Sequence, residues 1–282
     1  MAKNKLGSHT FRPESPVYIS QWVSVAGKKE AEGPLGHGFD IKSMDTKFGE
    51  KTWEQAEKKM QQLALSKLLQ KAQLKPADID LVFSGDLLNQ CIGSSFTLRN
   101  TGIPHLGLYG ACSTMAQSLL LASMAVGGGY ADHAVAMTSS HFAGSERQYR
   151  FPLGYGGQRT PTAQWTVTGS GAALVTSRPS CICIESATIG TVTDLGITDA
   201  GNMGAAMAPV DVKLRPSQAV CTQVTRKNQI TTLKGSLQFD LIKAICEKGP
   251  CLPAGAKNIL FCGAGIMPTH SCRYRCWDSG RW

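Results

Sequence analysis

From Thr52 onward the apolar residues Ala56, Met60, Leu63, Ala64 and Leu68 recur at the spacing that lines one face of a helix. Thr52 and Gln55 stand where a capping box would open that helix, and Pro76 marks its exit. Ile79 to Phe83 then reads as a buried strand. The same unit recurs: a helix starts just after Cys112, runs through Met124 and stops at Gly127-Gly128-Gly129, and His133 to Thr138 alternates into a strand. With a first strand at Val17 to Ser20 and extended segments at Trp165 to Val175 and Cys181 to Thr193, strands alternate with helices, which specifies an α/β layer fold. Gly27 to Phe39 and Gly144 to Thr162 read as loops. Asp132 and His133 fix a strand end, and Cys181 and Cys183, on one strand face, are expected to be buried.

Charge and cysteine divide the chain. Residues 1–208 carry a net charge of +2 and residues 209–282 a net of +7, so the overall +9 describes the tail and argues for no nucleic-acid partner of the body. Four cysteines, Cys91, Cys112, Cys181 and Cys183, lie in the body and six in the tail. That is not the even framing of a secreted disulfide scaffold, and no apolar leader follows Met1, so a reducing compartment is expected. The longest apolar stretch, around Ser118 to Val126, is far below the roughly 18 residues a membrane span needs. Work at a membrane would require docking there.

Tyr109-Gly110-Ala111-Cys112-Ser113-Thr114-Met115 places a thiol at a small-residue turn directly before a helix. Unpaired N–H groups and the helix dipole favour negative charge at such a point, which suits a nucleophile or an anion-binding corner. A small cysteine filling a tight turn is the alternative. Gly169-Ser170-Gly171 is too short for a dinucleotide fingerprint and is followed by Ala-Ala-Leu-Val, so close strand packing accounts for it.

Gly110-Ala111-Cys112-Ser113, Ser139-Ser140-His141-Phe142, Glu146 to Pro152, Tyr155 to Arg159, Trp165 to Ala173 and Gly201 to Pro209 together resemble the stage V sporulation protein AD family, over residues 1–208. The resemblance implies a thiolase-like layered α-β-α-β-α sandwich of two similar halves, usually a homodimer. It implies a sporulation protein that binds dipicolinic acid, free or as its calcium chelate, for uptake into the developing spore. That protein would sit peripherally at the spore inner membrane beside other stage V sporulation membrane proteins, with no cofactor.

Dipicolinate is flat, aromatic and doubly negative. Arg147, Arg150 and Arg159 could fork its carboxylates, while the helix start at Cys112 and Ser113 offers N–H donors, with His141 as a further candidate. Tyr149, Phe151 and Tyr155 could wall the ring. The arginines could equally be solvated or paired with Glu146, and His141 could be a hydrogen-bonded structural residue.

In related condensing enzymes the residue matching Cys112 takes up an acyl group, which makes an acyltransferase with a Cys112 nucleophile the competing reading. Those enzymes draw a His, Asn or second Cys from their C-terminal half. Here only His270 follows His141, and Cys262-Gly263-Ala264-Gly265 reads as a turn, so catalysis is disfavoured. The tail spacings Cys246-x4-Cys251 and Cys272-x3-Cys276 miss the tight pairs of structural zinc sites, and no metal is expected.

After Pro209 the family pattern should open a helix and begin the second repeat, but Val210 onward departs from it before Asn258 to Met267 resembles it again. We expect residues 209–282 to be a divergent or frame-shifted segment that leaves the second half of the sandwich incomplete.

Overall fold

The stripe that begins at Thr52 becomes the helix on which one side of the fold is built. In the computed structural model the described residues are 3–6, 9–33, 35–149 and 167–190, with short pieces at 224–226, 229–231, 233–234 and 261–262. The main elements are β1 (Lys5–Leu6), β2 (Thr10–Phe11), β3 (Val17–Ala26), α1 (Lys28–Glu32), β4 (Ile41–Lys42), α2 (Trp53–Ala72), β5 (Leu81–Gly85), α3 (Ile92–Leu98) and β6 (His105–Gly107). They continue with α4 (Thr114–Gly127), β7 (His133–Ser140), α5 (Phe142–Tyr149), β8 (Gly169–Thr176), β9 (Ile182–Ile184) and β10 (Ala187–Thr188).

Thr52 caps α2 as its sequence predicts, its hydroxyl accepting the Gln55 N–H at 3.2 Å. The helix ends earlier than Pro76, because Gln73 turns left-handed (φ 56°) and its N–H closes back onto the last turn.

Seven strands form one mixed sheet in the order β4-β3-β8-β7-β5-β6, with β9 pairing the outer part of β3. Strands β5, β6 and β7 run parallel to one another, and β8 is antiparallel between β3 and β7. Alternate residues point to opposite faces. Val82, Val135, Met137, Ala172 and Leu174 pack under α2 with Met60, Ala64 and Leu68, while Phe83, Ala134, Ala136, Ala173 and Val175 pack under α4 with Met115, Leu119 and Ala122. Both faces of the sheet are thus covered, which explains why its strands read as apolar runs. The expected α/β layer class is what these residues build: one mixed sheet between helices.

Several details differ from the sequence reading. The loop expected from Gly144 opens instead as α5, and the one from Gly27 contains α1. Cys181 is exposed and Cys183 only partly buried, because β9 begins at Ile182 and it is Ile182 and Ile184 that face the core. His133 does fix a strand end: its ring Nδ1 lies 3.0 Å from the Asp78 carbonyl, and Asp80 accepts the backbone N–H groups of Asp132 and His133. Gly169 and Gly171 lie in a strand paired on both sides, as close packing requires. Arg150, Phe151, Tyr155, Arg159, the tail cysteine and histidine spacings and most of residues 209–282 lie outside the described residues.

Candidate functional site

Three parallel strands end side by side, and the chain leaves them at Asp86 after β5, Leu108 after β6 and His141 after β7. In open α/β sheets the carboxyl ends of parallel strands are where crevices for ligands form. Both sequence-predicted clusters fall on this edge: Cys112 and Ser113 in the connection from β6 to α4, His141 and Arg147 in the connection from β7 along α5.

The cysteine turn is a tightly bonded piece of backbone. Ala111–Ser113 forms a single 3-10 turn, with Ala111 in the left-handed region at φ 48°, before α4 starts at Thr114. Ser113 Oγ donates to the Gly110 carbonyl at 2.7 Å and accepts from Gln117 Nε2 at 2.8 Å. Thr114 Oγ1 donates to the Ala111 carbonyl at 2.8 Å and accepts the Gly110 N–H at 3.2 Å. The hydroxyl of Ser113 therefore holds the turn that presents Cys112. The tip of β5 sits directly against this turn: a Cβ on Gly85 would stand 2.0 Å from the Leu108 carbonyl oxygen and 2.6 Å from Thr114 Cγ2. Only glycine permits that approach.

His141 is fully buried, and both of its ring nitrogens are engaged. Nδ1 accepts the Ala143 N–H at 3.2 Å, so Nε2 carries the hydrogen that goes to the Thr46 carbonyl at 2.7 Å. The ring thereby caps the first turn of α5 and ties it to the 43–51 loop. Burial lowers its pKa below the usual histidine range, the Thr46 bond opposing that in part, which keeps the ring neutral. His105 is likewise lowered by burial and pairs with Ser84 Oγ at 2.9 Å.

A polar cluster beneath this edge went unnoticed in the sequence. Glu57 and Gln61 of α2 point into the sheet, where Gln61 Nε2 donates to Ser139 Oγ at 2.8 Å and Ser94 Oγ at 3.0 Å. Ser139 Oγ donates to Glu57 Oε1 at 2.9 Å. Asp86 accepts the Leu88 N–H at 3.0 Å, the Ser94 N–H at 2.7 Å and the Ser94 hydroxyl at 2.6 Å. Burial pushes both carboxyl groups above their ordinary range, Glu57 strongly, with Asp86 adding to it. The available signal was two polar residues four apart on the same helical face as Met60 and Ala64. Among the described residues no group of three His, Cys, Asp or Glu could hold a metal ion.

A mixed sheet covered by helices on both faces, with a cysteine turn at the carboxyl edge of its parallel strands, defines a layered α/β protein. Crystal structures that share part of this arrangement include germicidin synthase from Streptomyces coelicolor, a type III polyketide synthase (14% identity, 71% of this chain and 74% of that one, TM-score 0.47). Another is 3-oxoacyl-[acyl-carrier-protein] synthase III from Aquifex aeolicus (17% identity, 59% and 53%, TM-score 0.36). These overlaps are too partial to carry an argument about activity. The sequence is more specific. The stage V sporulation protein AD family matches over residues 7–228, and the chain is 46% identical to stage V sporulation protein AD of Bacillus subtilis over 203 residues, 72% of this chain. The chain belongs to the stage V sporulation protein AD family and so to a group of sporulation proteins. It spans 60% of the length of that Bacillus relative.

Proposed function

We propose that the chain acts in sporulation as a non-catalytic binder of dipicolinic acid, free or as its calcium chelate, at the carboxyl edge of the parallel strands that carries both the cysteine turn and the start of α5. The observation that carries this reading is the family match across residues 7–228, which includes the arginine-bearing stretch from Arg147 to Arg159. In this reading the N–H groups at the start of α4, beside Cys112 and Ser113, take one carboxylate, and Arg147, Arg150 and Arg159 take the other. Binding is favoured over acyl transfer because related condensing enzymes draw their His, Asn or second Cys from the C-terminal half, where this sequence offers only His270 after His141; His141 itself has both ring nitrogens bonded to backbone.

Among the described residues no helix is long and apolar enough to cross a membrane. In this proposal the chain works at the spore inner membrane by docking to the other stage V sporulation membrane proteins. In this proposal the chain forms a homodimer along the β6 edge. Among the described residues β6 pairs on one side only, and Phe96, Leu106 and Tyr109 beside it are 48%, 53% and 47% exposed.

Calorimetric titration of the folded chain with dipicolinate, with and without calcium, tests the reading. Saturable heat that weakens at least tenfold in Arg150→Ala is expected; a folded protein that gives no heat contradicts it.

A further inference from the structure

Glu57 and Gln61 are both fully buried, and each leaves one oxygen without a partner: Oε2 of the glutamate and Oε1 of the glutamine. The rest of the cluster has a fixed direction. The hydroxyl hydrogens of Ser139 and Ser94 go to Glu57 and Asp86, so Gln61 must meet those hydroxyls with its NH2 group, leaving its oxygen as an acceptor. Two orphaned acceptors one helical turn apart cannot satisfy each other. They lack one hydrogen.

We propose that this hydrogen is present: Glu57 is a neutral carboxylic acid in the folded chain, its Oε2–H donated to Gln61 Oε1 directly or through one enclosed water, while Asp86 is the ionised member of the pair. One proton then removes both orphans and one of two like charges.

The donors decide which acid keeps it. Asp86 receives two backbone N–H groups and a hydroxyl, the surroundings that hold a carboxylate ionised, whereas Glu57 receives the Ser139 hydroxyl and a weaker backbone donation from Leu87. Among the described side chains, the titratable groups acting on Glu57 are Asp86 from the end of β5 and Glu54 from its own helix, while the neutral His141 at the end of β7 flanks the same Gly144. No described Lys or Arg forms an ion pair with either acid. From α5, Gly144 closes the space, since a Cβ there would lie 3.5 Å from Glu57 Oε2. The acid is thus a latch among α2, the end of β7 and the first turns of α5, beneath the helix that carries Arg147. It does not depend on the identity of the ligand.

Infrared spectroscopy of the full chain at pH 7 reads the proton directly. A carbonyl stretch of a protonated carboxylic acid is expected in the unsubstituted protein and in Asp86→Asn, and is expected to vanish in Glu57→Gln. Absence of the band from the unsubstituted protein, or its survival in Glu57→Gln, overturns the assignment. Equilibrium unfolding gives a second readout. As pH rises above the free carboxyl value near 4.3, the folded state binds the proton that the unfolded state has lost. The folding constant of Glu57→Gln should therefore gain on that of the unsubstituted protein by up to about tenfold per pH unit until Glu57 ionises. A ratio that stays flat from pH 5 to 8 contradicts the proposal. Should Glu57→Gln not fold, the band at pH 7 in the unsubstituted protein and in Asp86→Asn decides: its presence in both supports the latch and its absence from either overturns it.

Discussion

Replacing Gly85 with alanine should unfasten the end of β5 from the cysteine turn. The new Cβ would lie 2.0 Å from the Leu108 carbonyl oxygen and 2.6 Å from Thr114 Cγ2, and neither is the free end of a flexible side chain. The strand cannot retreat easily, because Gly85 is in register with Thr138 of β7 and the Leu108 N–H donates to the Ser84 carbonyl at 2.8 Å. Relief requires a shift of roughly 1 Å or more in the segment after β6, with an overpacking cost of about 1–3 kcal/mol. Loss of the Leu108–Ser84 bond adds about 1 kcal/mol. The expected destabilisation is therefore about 2–4 kcal/mol, or a melting temperature lower by roughly 5–15 °C for a domain of this size. Urea unfolding followed by tryptophan fluorescence measures it. A loss within about 0.5 kcal/mol, the range of an ordinary surface substitution, would refute the argument that this close approach fixes the turn.

Two further outcomes follow from the same geometry. Burial holds the pKa of His141 below its unfolded value near 6.5, so on acidification the unfolded chain gains a proton before the folded one. Stability should fall between pH 7 and 5 by at most about 1.4 kcal/mol per pH unit for this group, and less steeply in His141→Asn; equal slopes in the two proteins would show that the ring is not the responsible group. Phe96→Glu, on the exposed side of α3 beside β6, should dissociate the proposed β6 dimer in sedimentation equilibrium, whereas an unchanged mass would remove β6 as the contact.

The parts of the fold legible in the sequence are those set by local pattern. The α2 stripe, its Thr52 cap, the glycine stop after α4 and the core strands at β5 and β7 depend on periodicity and capping within a few residues. The placement of β8 between β3 and β7 joins segments far apart in the chain, and no local signal encodes such a pairing. Helix α5 was missed because its residues are polar and its cap is a histidine ring rather than the usual Ser, Thr, Asp or Asn. Glu57 and Gln61 were missed for a related reason. A count of apolar residues along α2 passes over the two polar ones on the same face, yet their burial beside Asp86, Ser94 and Ser139 creates the most perturbed carboxyl group described. Of the candidate site, the Cys112 turn was legible as a small-residue helix entrance, while its support by Gly85 emerges only when β5 and β6 are paired.

The central claim, that dipicolinate binds at the cysteine turn, is tested most directly by alkylation protection. The folded chain would be treated with iodoacetamide while dipicolinate is titrated in, and modification of each cysteine followed by peptide mass spectrometry. The account predicts saturable slowing at Cys112 with no change at the exposed Cys181. Equal rates at Cys112 with and without saturating dipicolinate would contradict it.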